Sequence, residues 1–337
     1  DYGQRYGGTT IAIRGSYMSP GKLFLCRFGA TDVIGNVTNA SYATCLSPML
    51  MDDVSRKSVS FFVSKDGGNT FSGSSINFTY TDMYVTSIEP NLGSESGGTS
   101  VIVRGGDFFA GEDVRCLFGG IEASSTALIS KNELLCISPA LSAGIVDVEV
   151  SHGGIDSTSS KVKFRYIINP VVATILPTFG PTTGGSQLRI VGDGFPQTKD
   201  LACIFENMIV PALWISANEV ECSTPKMSEG DLVIAVTTNG IDTFLGPNFT
   251  FVKPVTLSSI QPTTGPESGG AHMILIGSGF IFSKYLRCRF GHSIVAANYI
   301  SSTEISCLAP ALPEGTYNVS ISNNGKDFEA GVPNYSS

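Results

Sequence analysis

An all-β fold of four tandem sandwich modules is predicted by three regularities of this 337-residue chain. A cysteine followed two places later by phenylalanine recurs in "LCRFGA" (25–30), "RCLFGG" (115–120), "ACIFEN" (202–207) and "RCRFGH" (287–292). These cysteines, Cys26, Cys116, Cys203 and Cys288, lie 90, 87 and 85 residues apart. Each has a companion 19 or 20 residues on, at Cys45, Cys136, Cys222 and Cys307, and the eight are all the cysteine in the chain. A glycine pair keeps the same beat at Gly7-Gly8, Gly97-Gly98, Gly184-Gly185 and Gly269-Gly270, and so does a proline three places after each second cysteine, at Pro48, Pro139, Pro225 and Pro310. The period divides the chain into modules at 1–83, 84–168, 169–253 and 254–337, each small enough to gain from a crosslink.

The elements of a module follow in order. The glycine pair opens into an apolar run such as "TSVIVRG" or "AHMILIG". In "DVRCLFG", Val114, Cys116 and Phe118 share one side while Arg115 and Leu117 take the other, the period of a strand with one buried face. Phe24, Cys26 and Phe28 repeat it, as do Leu201, Cys203 and Phe205, and Leu286, Cys288 and Phe290. The second cysteines alternate with Leu134, Val220 and Ile305, so both members of every pair face inward. Next come "GIVDVEVSHGG", "GDLVIAVTTNG" and "GTYNVSISNNG", whose Gly-Gly or Asn-Gly endings are hairpin signals. The closing strands "INFTY", "VKFRY" and "PNFTF" place Phe78 and Tyr80, Phe164 and Tyr166, and Phe249 and Phe251 inward. Six or seven such strands with no helical period describe a β-sandwich.

Cysteines at this spacing could serve a metal, a reactive site or a crosslink. A structural zinc centre needs four ligands, and each module offers two cysteines with no regularly placed histidine; His152, His272 and His292 do not recur at equivalent positions. The pattern therefore predicts four disulfides within modules, Cys26–Cys45, Cys116–Cys136, Cys203–Cys222 and Cys288–Cys307, as befits an oxidising compartment. Composition agrees with a folded, turn-rich chain: 42% apolar, 15% charged, 38 glycines and 17 prolines. The net charge of -8 disfavours nucleic acid and anionic membrane surfaces, which demand a positive patch. There is no 18-residue apolar stretch, so no membrane insertion by this segment is expected, and "DYGQRYGG" is not a signal peptide. Asp1 aligns with Thr178 and Ser337 with Phe251, so the opening strand of the first module and the closing strand of the fourth are expected to be incomplete pieces of a longer protein.

The repeat resembles the IPT/TIG domain family. Its signature reads here as Ile88, Pro90, Gly93, Gly97-Gly98, Gly105, Phe108, Cys116, Phe118, Gly119, Cys136 and Pro139 in the second module. In the fourth it reads as Ile260, Pro262, Gly265, Gly269-Gly270, Gly277, Phe280, Cys288, Phe290, Gly291, Cys307, Pro310 and Asn324-Gly325. The third departs at Glu206, which replaces the glycine after Phe205, and the first lacks Ile-x-Pro. The resemblance implies immunoglobulin-like sandwiches, found in ectodomains of plexin-like and growth-factor receptors, in fibrocystin-like surface proteins, beside glucan-processing catalytic domains and in rel-type transcription factors. Paired cysteines and acidic charge speak against the last use.

Six Asn-x-Ser/Thr sequons begin at Asn36, Asn39, Asn77, Asn248, Asn318 and Asn334. Asn77, Asn248 and Asn334 hold one position, just before an inward aromatic of the closing strand, so each asparagine faces out; Lys163 takes that position in the second module. Chance sequons are common in chains rich in Asn, Ser and Thr. The repeated register instead points to N-linked glycans on a secreted or surface protein, keeping that face solvated.

Nothing in the sequence points to catalysis or to a cofactor. "GSESGGTSV" and "GPESGGAHM" lack the Gly-Lys-Ser/Thr of a phosphate loop and precede strands, and no Ser-His-Asp or Cys-His constellation stands out. Glu95, Glu267, Asp66 and Asp327 are too scattered to specify calcium. Trp214 in "LWIS" reads as a strand residue packing partly inward, with a carbohydrate platform as the functional alternative. Linkers such as "FTYTDMYVTSIEP" are short, and Pro170 and Pro254 stiffen two of them. Modules roughly 35 to 40 Å long would make an elongated rod of about 150 Å. Two functional classes fit: a structural or adhesive array that contacts proteins, including copies of itself or further modules of the same longer chain, and a receptor stalk or ligand-binding ectodomain. The chain starts and stops at nearly the same phase of the repeat, which favours the array; a transmembrane segment with a signalling domain in the full-length product would favour the receptor.

Overall fold

The computed structural model describes residues 2–51, 57–73, 76–108, 114–152 and 156–337, with backbone alone at 156 and 330–333. Every regular element among them is a strand, and there is no helix that could cross a membrane. The chain divides into two compact units, Asp1–Ile168 and Asn169–Ser337.

In the second unit, residues 169–253 form two facing sheets. One runs Val171–Leu176, Gln187–Asp193, Glu219–Ser223, Leu213–Ser216; the other runs Phe179–Pro181, Thr243–Val252, Gly230–Thr237, Ala202–Phe205, Met208–Pro211. That makes nine strands where the periodicity shows six or seven. The opening strand breaks at Pro177, which has no N–H for a ladder, and its second half crosses to pair in parallel with the closing strand. The strand after the first cysteine breaks at Pro211-Ala212 and likewise serves both sheets. Residues 254–337 use the same order, but there Ser293–Ser301 passes unbroken from one sheet to the other and joins them into one seven-stranded path.

In the first unit, residues 84–168 repeat the two-sheet arrangement, and residues 2–83 repeat the seven-stranded path through the long strand Thr31–Asn39. The short Tyr2–Gln4 pairs in parallel with Ile76–Thr81, just as Leu92–Ser94 pairs with Val162–Ile167.

The side chains that alternate in sequence meet between the sheets. Cys203, Phe205, Val220, Ile234, Val236, Phe249 and Phe251 are all buried in one cluster, with equivalents in the other three modules. Phe249 and Phe251 meet edge to face at 4.8 Å, and Phe118 and Phe164 at 5.2 Å, an arrangement that the ring quadrupole favours. Each cysteine pair is a disulfide joining the two sheets, with Cα atoms 6.2 to 6.6 Å apart, and no cysteine is free among the described residues.

Two markers that share a beat in sequence share a contact in space. The first glycine of each pair has positive φ and lies on the backbone just past the proline of Cys-x-x-Pro: a Cβ on Gly184 would stand 2.6 Å from the Pro225 carbonyl carbon, and one on Gly97 equally close to Pro139. The second glycine then donates its N–H to that segment, Gly185 to the Thr224 carbonyl at 2.8 Å and Gly98 to Ser138 at 2.9 Å. Only glycine permits that approach in that conformation.

Desolvation also shifts two of the buried tyrosines. Tyr80 and Tyr166 are 2% and 1% exposed, and desolvation pushes both phenols up to about 12 from 10.0; Tyr166 donates to the Pro139 carbonyl at 3.0 Å. A raised phenol pKa means that the folded protein keeps a proton which the unfolded chain releases. This contribution is therefore complete below about pH 10 and is lost as pH rises through about 12. The melting temperature is expected to hold up to about pH 10 and then fall, with late-titrating tyrosinate absorbance appearing only on unfolding. Full titration of all tyrosines near pH 10 in still-folded protein would count against this.

Candidate functional site

The described residues hold no group of three metal-ligating side chains. His152 and Trp214 are both absorbed structurally. The indole of Trp214 is half-buried and donates to the Phe195 carbonyl at 2.9 Å. What the repeat builds instead is a pair of surfaces: the ends where modules meet, and the outer face of the sheet that carries the sequons.

At the junction inside the second unit, the Asn324-Gly325 turn is a docking element as well as a hairpin. Gly325 supplies the positive φ, and the Asn324 amide oxygen accepts from the N–H of Lys326 at 3.0 Å and of Asp327 at 2.9 Å. This leaves the Asn324 Nδ2 to reach the preceding module, where it donates to the Phe179 carbonyl at 2.8 Å. The same Nδ2 donates to Asp327 Oδ2 at 2.7 Å, and that carboxylate oxygen accepts from Ser186 Oγ at 2.5 Å across the junction. Asn324 is 6% exposed and Ser186 fully buried, so these bonds operate away from water, where a broken partner costs most. Asn323 braces the turn from within its own module, donating to the Gly279 carbonyl at 2.8 Å and accepting from Ile281 N–H at 3.1 Å.

The first unit uses the same places with other chemistry. Tyr2 occupies the position of Phe179, and its ring lies 4.2 Å from the imidazole of His152, which stands where Asn323 does, one place before the Asn324 position. Arg5 pairs with Asp82 at 3.3 Å, and the Asp82 N–H donates to Asp107 Oδ2 at 3.1 Å. In the first module the corresponding turn is built on Asp66, whose carboxylate accepts from the Thr70 hydroxyl at 2.6 Å, the Thr70 N–H at 2.9 Å and the Ser64 hydroxyl at 2.7 Å. Those bonds hold Asp66 well below the usual carboxylate range.

All six sequon asparagines are exposed. Asn36 lies across from Thr44, and Asn39 caps the same strand, its side-chain oxygen accepting from Ser41 N–H and Oγ at 2.9 and 3.0 Å. On the closing strands, Asn77 lies opposite Ser60 and Asn248 opposite Val233. Asn334 lies directly opposite Asn318, a juxtaposition of two sequons 16 residues apart that only the hairpin register reveals. In the second module the equivalent pair is an ion pair, Lys163 with Asp147.

Residues 83–166, 170–252 and 254–336 each match the profile of the IPT/TIG domain. The chain belongs to the IPT/TIG domain family. It is 24% identical to human fibrocystin-L over 205 residues, covering 60% of this chain and 5% of that protein. It is also 24% identical to mouse plexin-A4 over 258 residues, covering 72% and 14%. Among solved structures it is similar to the plexin A4 full extracellular region, with 16% identity, a TM-score of 0.40, and coverage of 93% of this chain and 34% of that one. The chain thus spans a small part of each of these relatives. Within each matched IPT/TIG domain, the glycine pair, the Cys-x-x-Pro segment and the inter-sheet disulfide are the structural markers, while the turn position held by Asn324 in the last is Gly153 in the first and Asn239 in the second. In the sequence that turn reads as a hairpin signal alone and Asp327 as one scattered acid, because its partner Ser186 is 141 residues away.

Proposed function

We propose that the chain is a non-catalytic, N-glycosylated stretch of the ectodomain of a larger surface protein, in which four IPT/TIG domains, at 1–83, 84–168, 169–253 and 254–337, form a stiff rod that presents or spaces protein-binding surfaces. Partners are proteins, including further modules of the same longer chain, and no cofactor takes part. Likeness in sequence to plexins and fibrocystin-L supports a stalk or receptor role over a self-assembling filament. The observation that carries stiffness is the buried clasp of Asn324 and Asp327 on Phe179 and Ser186, since a junction held by side-chain bonds resists the swinging that a bare linker allows.

Small-angle scattering on the whole chain tests this. The expected result is a maximum dimension of about 150 Å with a narrow distribution that broadens in the Asn324→Ala/Asp327→Ala variant while strand content stays unchanged. A compact particle, or a distribution in the unmodified chain as broad as in the variant, would defeat the rod.

A further inference from the structure

The outer face of the sequon-bearing sheet carries an arginine pair or stack in three modules, beside apolar residues such as Ile34 and Ile294, and no arginine in the third. In the first module Arg27 pairs with Asp32 at 2.7 Å and stacks on Phe71 at 3.7 Å. In the second, Arg115 pairs with Glu122 at 2.6 Å and Lys163 with Asp147. In the fourth, Arg289 stacks on Phe328 at 4.4 Å and donates to Ser320 Oγ at 3.0 Å. The third module puts Ile204 where those arginines at 27 and 289 stand, between the Cys and Phe of the repeated motif.

Register makes this a continuous row. Ile209 pairs with Ile204, Ile204 with Ala235, and Ala235 with Leu245, so four apolar residues cross four strands side by side. Residues opposite one another share a face, and their side chains touch. Leu245 is 73% exposed and Ile209 59%; Val233, beside the row, is 45% exposed. Polar groups enter this face at its margins, at Glu206 and at the Asp231–Thr250 hydrogen bond of 2.6 Å. Directly opposite Val233, next to the row, stands the exposed sequon residue Asn248.

Ile209 and Leu245 stand exposed on either side of the partly covered Ile204 and the buried Ala235; an apolar sheet face of this kind invites face-to-face association, and soluble proteins keep such patches small. We propose that Asn248 carries an N-linked glycan whose first sugars lie across the Ile209–Ile204–Ala235–Leu245 row and shield it. The aliphatic C–H faces of the sugar rings meet the isoleucine and leucine side chains, while the hydroxyls take over contact with water. The glycan at Asn248 thus has a task that one at Asn77 lacks, because the face around Asn77 already carries the Arg27–Asp32 pair. The inference rests on the secreted, glycosylated reading above and adds to it which sequon matters and why.

The test expresses the 337-residue chain through the secretory pathway of glycosylating cells, as wild type, Asn248→Gln, Thr250→Ala and Asn77→Gln. Site occupancy is read by glycopeptide mass spectrometry, exposed apolar surface by anilinonaphthalene-sulfonate fluorescence, and association by sedimentation velocity. Expected are occupied Asn248 in wild type, and a several-fold rise in dye fluorescence with concentration-dependent oligomers in both Asn248→Gln and Thr250→Ala, which ablate the sequon through different residues. Asn77→Gln should match wild type, and adding Ile209→Gln and Leu245→Gln to Asn248→Gln should restore wild-type behaviour. Three results overturn the proposal. Asn248 bare while Asn77 is occupied removes the glycan but leaves the secreted reading intact. Asn248→Gln behaving like Asn77→Gln removes the shielding. Every sequon bare removes the underlying glycoprotein reading as well.

Discussion

Alanine at Gly192 is expected to destabilise its module by about 3 kcal/mol, the upper range for forcing extra volume into a packed site. The added methyl would stand 1.8 Å from the Val171 carbonyl oxygen and 2.9 Å from the tip of Phe195. The first of these neighbours is backbone of the paired opening strand, which cannot rotate away. Register shifts at this point, between Val172 and Thr174, because the strand bends over the glycine. Gly105 and Gly277 sit equally close to Tyr84 and Thr256, which explains a glycine that ends the same strand in several modules. Calorimetric unfolding should show a melting temperature lowered by about 15 °C in the affected transition, taking roughly 4–8 °C per kcal/mol for a domain of this size. Gly144→Ala is the control: its Cβ meets nothing closer than 3.8 Å, and its φ is not positive, so the change should be neutral or slightly stabilising. Equal effects of the two substitutions would sink the steric account.

Replacing Cys203 and Cys222 together by alanine is expected to cost about 3 kcal/mol, from the freedom regained by a loop of about 20 residues in the unfolded chain. Both sulfurs lie in the core, at 0% and 4% exposure, where the bond ties one sheet to the other. Guanidinium unfolding of the double variant should show an earlier midpoint for one module, with the other three retained. Peptide mapping without reductant provides the companion measurement: four bonds within modules are expected, and free thiols or bonds between modules would refute the pairing.

The disulfide pairing is legible in the amino-acid sequence alone, whereas the backbone that Gly192 meets is not. The alternation around Cys-x-Phe, the 19- to 20-residue companion and the shared beat of Gly-Gly with Cys-x-x-Pro are local or periodic. A strand with one buried face leaves such a trace, because successive side chains must point to opposite sides. Fold class, crosslinks and the outward register of Asn77 and Asn248 all follow from that alternation. Strand breaks at Pro177 and Pro211 are harder to see, since a proline at an edge and a proline in a loop leave the same mark in a sequence.

Tertiary structure alone decided which groups meet across the module junction and across the sheet. Ser186 and Asp327 belong to different modules, and nothing in either neighbourhood encodes the other. The apolar row of the third module draws Ile209, Ile204, Ala235 and Leu245 from four strands, where each looks like an ordinary strand residue on its own. Asn318 and Asn334 read as two separate sequons until the hairpin register sets them face to face. The fourth module adds a substitution with the same lesson: Tyr335 stands where Phe78, Phe164 and Phe249 stand, and Ala271 where Thr9, Thr99 and Ser186 do, so that the tyrosine hydroxyl fills space beside Gly265 that a smaller residue's hydroxyl fills elsewhere. Periodicity says which way a side chain points. Which partner it finds depends on pairing register, bulges and the approach of one module to the next, all set by long-range packing rather than by neighbours in the chain.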